Sequence, residues 1–205
     1  MPKRHKTMKW IVGIDEVGRG PLAGPVTIGA VLMRMSDYRA IQYPRISIAL
    51  RDSKQMTHTQ RARWMRQVRA LKQQNTLSVV CVSCAASRID QKGIAVCIRS
   101  LVASALKRLK CDPKQTLVLL DGGLKAPTSF VQESVIKGDD IHKIISLASV
   151  IAKEKRDAFM NRLDKEYPLY GWKENKGYGT VHHRKALKRY GSTPYHRKTF
   201  ISKLV

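Results

Sequence analysis

The chain has 205 residues, 43% of them apolar, and carries 39 Lys and Arg against 15 Asp and Glu, a formal charge of +24. That length suits one domain with a sizeable core, and no apolar stretch approaches the ~20 residues that span a bilayer, which argues against a membrane partner. The charge bears on partners rather than on fold: nucleic acid leads, an anionic membrane surface comes second, and a generally basic proteome would raise the charge with no function attached.

In chain order, residues 1–9 are basic without an apolar core, so they read as a flexible arm that adds phosphate attraction and not as a secretory leader. The cytoplasm is then the expected compartment. Trp10 to Asp15 reads as a strand, followed by a Gly- and Pro-rich loop from Gly18 to Pro25 and a second strand from Val26 to Met33. Residues 34–56 read as irregular. Thr57 can cap a helix over about 58–74, with Ala62, Met65, Val68 and Leu71 on its apolar face. A third strand spans Leu77 to Ala85, and one helix is expected over about 90–110. Thr116 to Asp121 and Phe130 to Ile136 read as strands four and five. A long helix runs from 142 or 143 to about Tyr167, its first half almost wholly apolar. From Pro168 the chain turns basic and glycine-punctuated, with a short helix near Val181 to Tyr190. Strands mixed with long helices imply an α/β layered domain over 10–167, with 168–205 as a small C-terminal lobe of the same domain.

Four acids stand apart in this acid-poor chain. Asp15 and Glu16 end the run Trp10-Ile11-Val12-Gly13-Ile14, Asp121 ends Thr116-Leu117-Val118-Leu119-Leu120, and Asp139 follows the fifth strand by a Lys-Gly step. Carboxylates at the ends of buried strands are costly unless something positive holds them. Converging carboxylates are hard oxygen ligands suited to Mg²⁺ or Mn²⁺. A basic protein with such a cup fits metal-assisted chemistry on a polyanion. Cys81-Val82-Ser83-Cys84 has the spacing of half a zinc site, but with no second pair the four cysteines read as core thiols.

Five ordered blocks carry a resemblance. They are Ile14-Asp15-Glu16-Val17-Gly18-Arg19-Gly20-Pro21-Leu22-Ala23-Gly24-Pro25, then Asp52-Ser53-Lys54-Gln55-Met56 with Arg61, then Leu119-Leu120-Asp121-Gly122. Lys137-Gly138-Asp139 with Ser146 to Lys153 and Arg156-Asp157 is the fourth, and Lys176-Gly177-Tyr178-Gly179-Thr180 with His183, His196-Arg197 and Phe200 the fifth. Together they resemble the motifs of ribonuclease HII over about residues 10–200. The resemblance implies a ribonuclease H-like mixed sheet flanked by helices. It implies an endonuclease, dependent on Mg²⁺ or Mn²⁺ and using two ions. Such an enzyme cuts the RNA strand of RNA–DNA hybrids and cuts 5′ of a single ribonucleotide in duplex DNA, leaving 3′-hydroxyl and 5′-phosphate ends.

By the same resemblance, Asp15, Glu16, Asp121 and Asp139 are the catalytic and metal-holding acids. Asp15 is expected to bridge the ions and Glu16 to ligate at the edge. Asp140, next to Asp139, is read as a solvated acid or a helix-start residue. Gly18, Arg19 and Gly20 contact the ribonucleotide's 2′-hydroxyl through backbone, Tyr178 packs against the following sugar, and Lys54 contacts phosphate. His183 and His196 are read as structural or phosphate-facing. A monomer with no membrane partner is expected. Competing readings are a hybrid nuclease that needs a run of ribonucleotides and a hybrid binder without catalysis. The chain departs from the pattern at Asn175, Glu154-Lys155, Lys92-Gly93 and Gly123, of which Asn175 bears on the loop that carries Tyr178.

Overall fold

The computed structural model describes residues 8–42, 58–202 and 204. The basic arm, the Thr57 cap, and the block containing Asp52 and Lys54 lie outside the described residues, except for Met8 and Lys9. Five strands form one mixed sheet: β1 (Trp10–Val17), β2 (Val26–Arg34), β3 (Leu77–Cys84), β4 (Thr116–Asp121) and β5 (Val131–Val135). Their spatial order is β3-β2-β1-β4-β5. β2 runs antiparallel to both its neighbours, β1 and β3, and β4 and β5 run parallel to β1. The C-terminal ends of β1 and β4 therefore open on the same edge of the sheet.

Both faces are covered, which is why the central strands are apolar almost throughout. Val12, Ile14, Val118 and Leu120 point into one core layer, which is shared with the helix at Ile94–Arg108. Ile11, Leu117 and Leu119 point into the other, shared with Ile144, Ile145, Leu147, Ala148 and Ile151 of the long helix Lys143–Glu166. The period-2 alternation thus assigns each strand residue a face.

Helices, numbered in chain order, are α1 (Met35–Gln42), α2 (His58–Gln73), α3 (Ala86–Lys92), α4 (Ile94–Arg108), α5 (Gly138–Ile141), α6 (Lys143–Glu166), α7 (Trp172–Asn175), α8 (Val181–Tyr190) and α9 (Lys198–Ile201). Before the C-terminal segment, where the one-turn α7 and α9 are also not expected, three differ from the sequence expectation. The stretch read as irregular opens with α1, whose Met35 and Tyr38 are buried one turn apart. The single helix expected over 90–110 is two, broken at Gly93, which adopts φ +77°. A one-turn helix, α5, follows Lys137 and carries Asp139.

α6 lies unusually close to the sheet. A Cβ on Gly13 would meet the backbone of Ile144, and one on Gly29 would meet the carbonyl of Ala148. Only glycine permits that approach. The far half of α6 supports a third apolar cluster, in which Met160 and Leu163 pack with Tyr170, Trp172, Leu187 and Ile201 of the C-terminal segment and with Ala23 of the Gly18–Pro25 loop. Asp90 on α3 accepts the N–H groups of Lys198 and Thr199 at 2.9 and 3.0 Å and so pins the start of α9. Cys81 and Cys84 sit on opposite faces of β3, packed in different core layers, so their sulfurs diverge. All four cysteines are free thiols.

Candidate active site

Strand register brings two acids side by side. Ile14 of β1 pairs with Leu120 of β4, so the next residues, Asp15 and Asp121, are lateral neighbours at the strand ends. Both fall on the face that α6 covers. β1 stays regular as far as Val17, so the Glu16 side chain points to the opposite face from Asp15. Asp15 is only 6% exposed. Burial above all, with the negative charges of Glu16 and Asp121 adding to it, pushes its carboxyl from 3.8 up to about 7. A hydrogen bond from Ser149 opposes that rise, as does one from the Glu16 N–H at 2.7 Å.

Asp139 is 7% exposed on α5. It is tied to Asp121 through the backbone: the N–H of Gly138 donates to Asp121 Oδ1 at 2.7 Å. The Asp139 carbonyl accepts from Ser146 Oγ. Ser146 and Ser149 are thus one helical turn apart on α6, each holding one acid or its backbone. Glu16 lies 3.7 Å from the exposed guanidinium of Arg19. Among the described residues, no three His, Cys, Asp or Glu side chains are gathered tightly enough to enclose an ion in this arrangement. The donor set nevertheless fits a divalent cation chemically: the groups are carboxylates, and the charges acting on Asp15 are negative.

The Gly18–Pro25 loop is anchored on its inner side by two buried arginines, Arg156 and Arg197. The Tyr178 segment is joined to it. Leu22 and Ala23 N–H groups donate to Gly177 O at 2.8 and 3.3 Å, and the Tyr178 ring comes to 4.0 Å from where a Gly20 Cβ would stand. Tyr178 is 47% exposed, so it is no core aromatic. Asn175 holds the turn before it. Its Nδ2 donates to Tyr170 O at 2.7 Å and its Oδ1 accepts from Gly177 N–H at 2.8 Å. Glu154 accepts from Arg61 Nε at 2.8 Å, tying α6 to α2. A Cβ on Gly123 would meet nothing within 4 Å, so that departure leaves packing untouched. Asp140 is exposed, in keeping with the solvated reading.

His183 and His196 are buried and form part of the scaffold. His183 Nδ1 meets the Tyr178 carbonyl at 2.9 Å and must donate to it, which leaves Nε2 as an acceptor. That Nε2 accepts from Trp172 Nε1 at 3.1 Å and from His196 Nε2 at 3.1 Å. His196 Nδ1 then accepts from the Thr193 N–H at 2.9 Å. One tautomer of each neutral ring satisfies the whole chain. Burial pushes both histidines down, His196 to about 4 with His183 contributing second.

Sequence reasoning placed Ser146, Ser149, Arg156 and Arg197 within the blocks that carry the resemblance but gave none of them a role in the site. The two serines did carry a signal, since they are the hydroxyls that interrupt an otherwise apolar, buried half-helix. The arginines carried only their place in the fourth and fifth blocks, which names no partner for either.

The sequence model of the ribonuclease HII family matches residues 12–203. The chain belongs to the ribonuclease HII family. The ribonuclease HII of Thermosynechococcus vestitus is 40% identical over 196 residues, covering 95% of this chain and 85% of that protein. Membership makes the chain a ribonuclease H, an endonucleolytic phosphodiester hydrolase acting on nucleic acid. Solved structures share the ribonuclease H-like fold. The ribonuclease H2 of Pyrococcus horikoshii aligns with a TM-score of 0.73 at 23% identity, over 95% of this chain and 96% of that one. A Bst ribonuclease HIII solved in complex with Mn²⁺ aligns with a TM-score of 0.66 at 16% identity, over 100% of this chain and 73% of that one. Among the described residues, no helix is long and apolar enough to cross a membrane.

Proposed function

We propose that this protein cuts the RNA strand of RNA–DNA hybrids and cuts 5′ of single ribonucleotides embedded in duplex DNA, leaving 3′-hydroxyl and 5′-phosphate ends, and so serves ribonucleotide removal. The observation that carries the reading is the pairing of buried Asp15 with Asp121 at adjacent strand ends, beside a glycine-flanked loop that presents backbone to the outside. Asp15, Glu16, Asp121 and Asp139 are the proposed holders of two Mg²⁺ or Mn²⁺ ions. Bound there, the ions would supply Lewis acidity and an activated water at neutral pH.

The protein's own groups do the rest. Ser149 orients the Asp15 carboxylate, and Ser146 fixes the turn that carries Asp139. The backbone of Gly18, Arg19 and Gly20 meets the ribose 2′-hydroxyl, the group that distinguishes RNA from DNA at the sugar. Tyr178, exposed and close to Gly20, packs on the next sugar. Lys54, outside the described residues, is proposed to contact phosphate. The segment 168–205 acts as the substrate-contacting lobe.

The test is a labelled DNA duplex with one ribonucleotide, incubated with Mg²⁺, with Mn²⁺ or with EDTA. Metal-dependent cutting on the 5′ side of that ribonucleotide is expected. Cutting only within a long RNA–DNA hybrid would overturn junction recognition and leave the enzyme as a hybrid nuclease.

A further inference from the structure

Arg197 is wholly buried, yet among the described residues no carboxylate lies within ion-pair distance of it. Its guanidinium is used up on backbone. Nε donates to Gly24 O at 3.0 Å, Nη1 to Arg19 O at 2.9 Å and Nη2 to Gly18 O at 2.6 Å. Arg156, 1% exposed, grips the loop from the other side with two of its three nitrogens, Nε on Pro25 O at 2.9 Å and Nη2 on Ala23 O at 3.2 Å, while its Nη1 has no hydrogen-bond partner among the described residues. Five carbonyls of one loop are therefore turned inward onto two cations. Burial first and Arg156 second push Arg197 down to about 10, which leaves it protonated at neutral pH. A buried cation without a counter-charge is expensive and is kept where it does something a neutral side chain cannot.

The outer side of the loop shows what that is. A peptide unit is planar, and no bond in the described chain is cis, so each carbonyl and the following N–H point opposite ways. With the Gly18 and Arg19 carbonyls drawn inward, the N–H groups of Arg19 and Gly20 are turned outward. Neither donates to any described residue. Two successive outward N–H groups form a small concave donor site for an electron-rich oxygen. It lies next to Glu16 and, across from Gly20, the Tyr178 ring. The grip also reaches the Tyr178 side: Arg197 N–H donates to Leu22 O at 2.8 Å, and Leu22 N–H to Gly177 O at 2.8 Å.

We propose that Arg197 is the positioning residue for ribonucleotide recognition, turning the peptides of Gly18 and Arg19 so that the N–H groups of Arg19 and Gly20 meet the ribose oxygen of the ribonucleotide at the cut. The inference rests on the junction-cutting reading above. It makes the specificity of the loop a property of a residue 178 positions away in sequence, not of the glycines alone.

The first test is Arg197→Lys. Lysine keeps the charge but, as a point donor, cannot span three carbonyls. On wild type and variant, both checked for folding by thermal melting, kcat and KM are measured on a duplex with one ribonucleotide and on a continuous RNA–DNA hybrid. The expected result is a loss of at least tenfold in the ratio of the two kcat/KM values, carried by the single-ribonucleotide substrate. Equal losses on both substrates, or none, would overturn the positioning role.

The second test needs no variant. In wild-type enzyme with Ca²⁺ in place of Mg²⁺, the amide resonances of Arg19 and Gly20 should shift on adding the single-ribonucleotide duplex more than on adding the all-DNA duplex. Identical responses to both would overturn the proposal even if the lysine variant fails to fold. Failure of wild type to cut at a single ribonucleotide would instead sink the underlying reading.

Discussion

At the scale of single residues, Asp15 decides how the site behaves with pH. Its carboxyl titrates near 7 in the folded chain and near 3.8 when free of it. The folded protein therefore binds more protons than the unfolded one between those values, and Asp15 subtracts stability as pH rises from about 4 to 7. Asp15→Asn in EDTA at pH 8 should raise stability by about 4 kcal/mol, with the gain vanishing below pH 4, as followed by urea melts. The same variant should cut at least ~100-fold more slowly, since even partners of a ligand contribute 10–100-fold. Duplex binding should survive, because the basic surface is unchanged. Ser149→Ala removes the hydrogen bond that opposes the rise at Asp15. The Mg²⁺ concentration for half-maximal cutting should then increase by about tenfold, with little change in rate at saturation.

At the scale of elements, the pattern of apolar runs located β1 to β5, α2, α6 and α8 to within a residue or two, because each buries a continuous or periodic apolar set. The carboxylates were legible for the same reason, being charges where a strand ends. What periodicity did not show were devices held by single long-range contacts. Arg197 stands in a motif block but shows no role until its guanidinium is seen against Gly18 and Arg19, and α1 is too short for its two buried residues to make a pattern.

The C-terminal elements carry two predictions. Tyr178→Ala should weaken cutting at single ribonucleotides more than cutting of long hybrids, read as a ratio of kcat/KM values; equal losses would remove the sugar-sensing role. The neutral histidine pair gives the segment an acid limit. His196 titrates near 4 when folded and near 6.5 when unfolded, so its contribution is intact above 6.5 and is lost as pH falls toward 4. Urea melts should show about 2 kcal/mol lost between pH 6.5 and 5, above the range where most carboxylates titrate.

At the scale of the whole molecule, the excess of cations acts collectively. Arg63, Arg66, Arg69 and Lys72 are exposed along α2, and no acid occurs in that helix. Together with the +24 formal charge this predicts a steep dependence of duplex affinity on salt. Deleting residues 1–8, which hold Lys3, Arg4 and Lys6, should lower the slope of log affinity against log salt by about 2 without moving the cut site; an unchanged slope would make the arm irrelevant to binding. The acids, by contrast, are placed by close packing, and here the seating of α6 matters. Gly29 stands directly across the ladder from Asp15, and the carbonyl of Ala148 occupies the space its side chain would need. A single methyl group there would act as a wedge, lifting the helix and drawing Ser149 off Asp15. The spacing of the acids is thus guarded by an empty position, and damage to it comes from adding atoms as readily as from removing them.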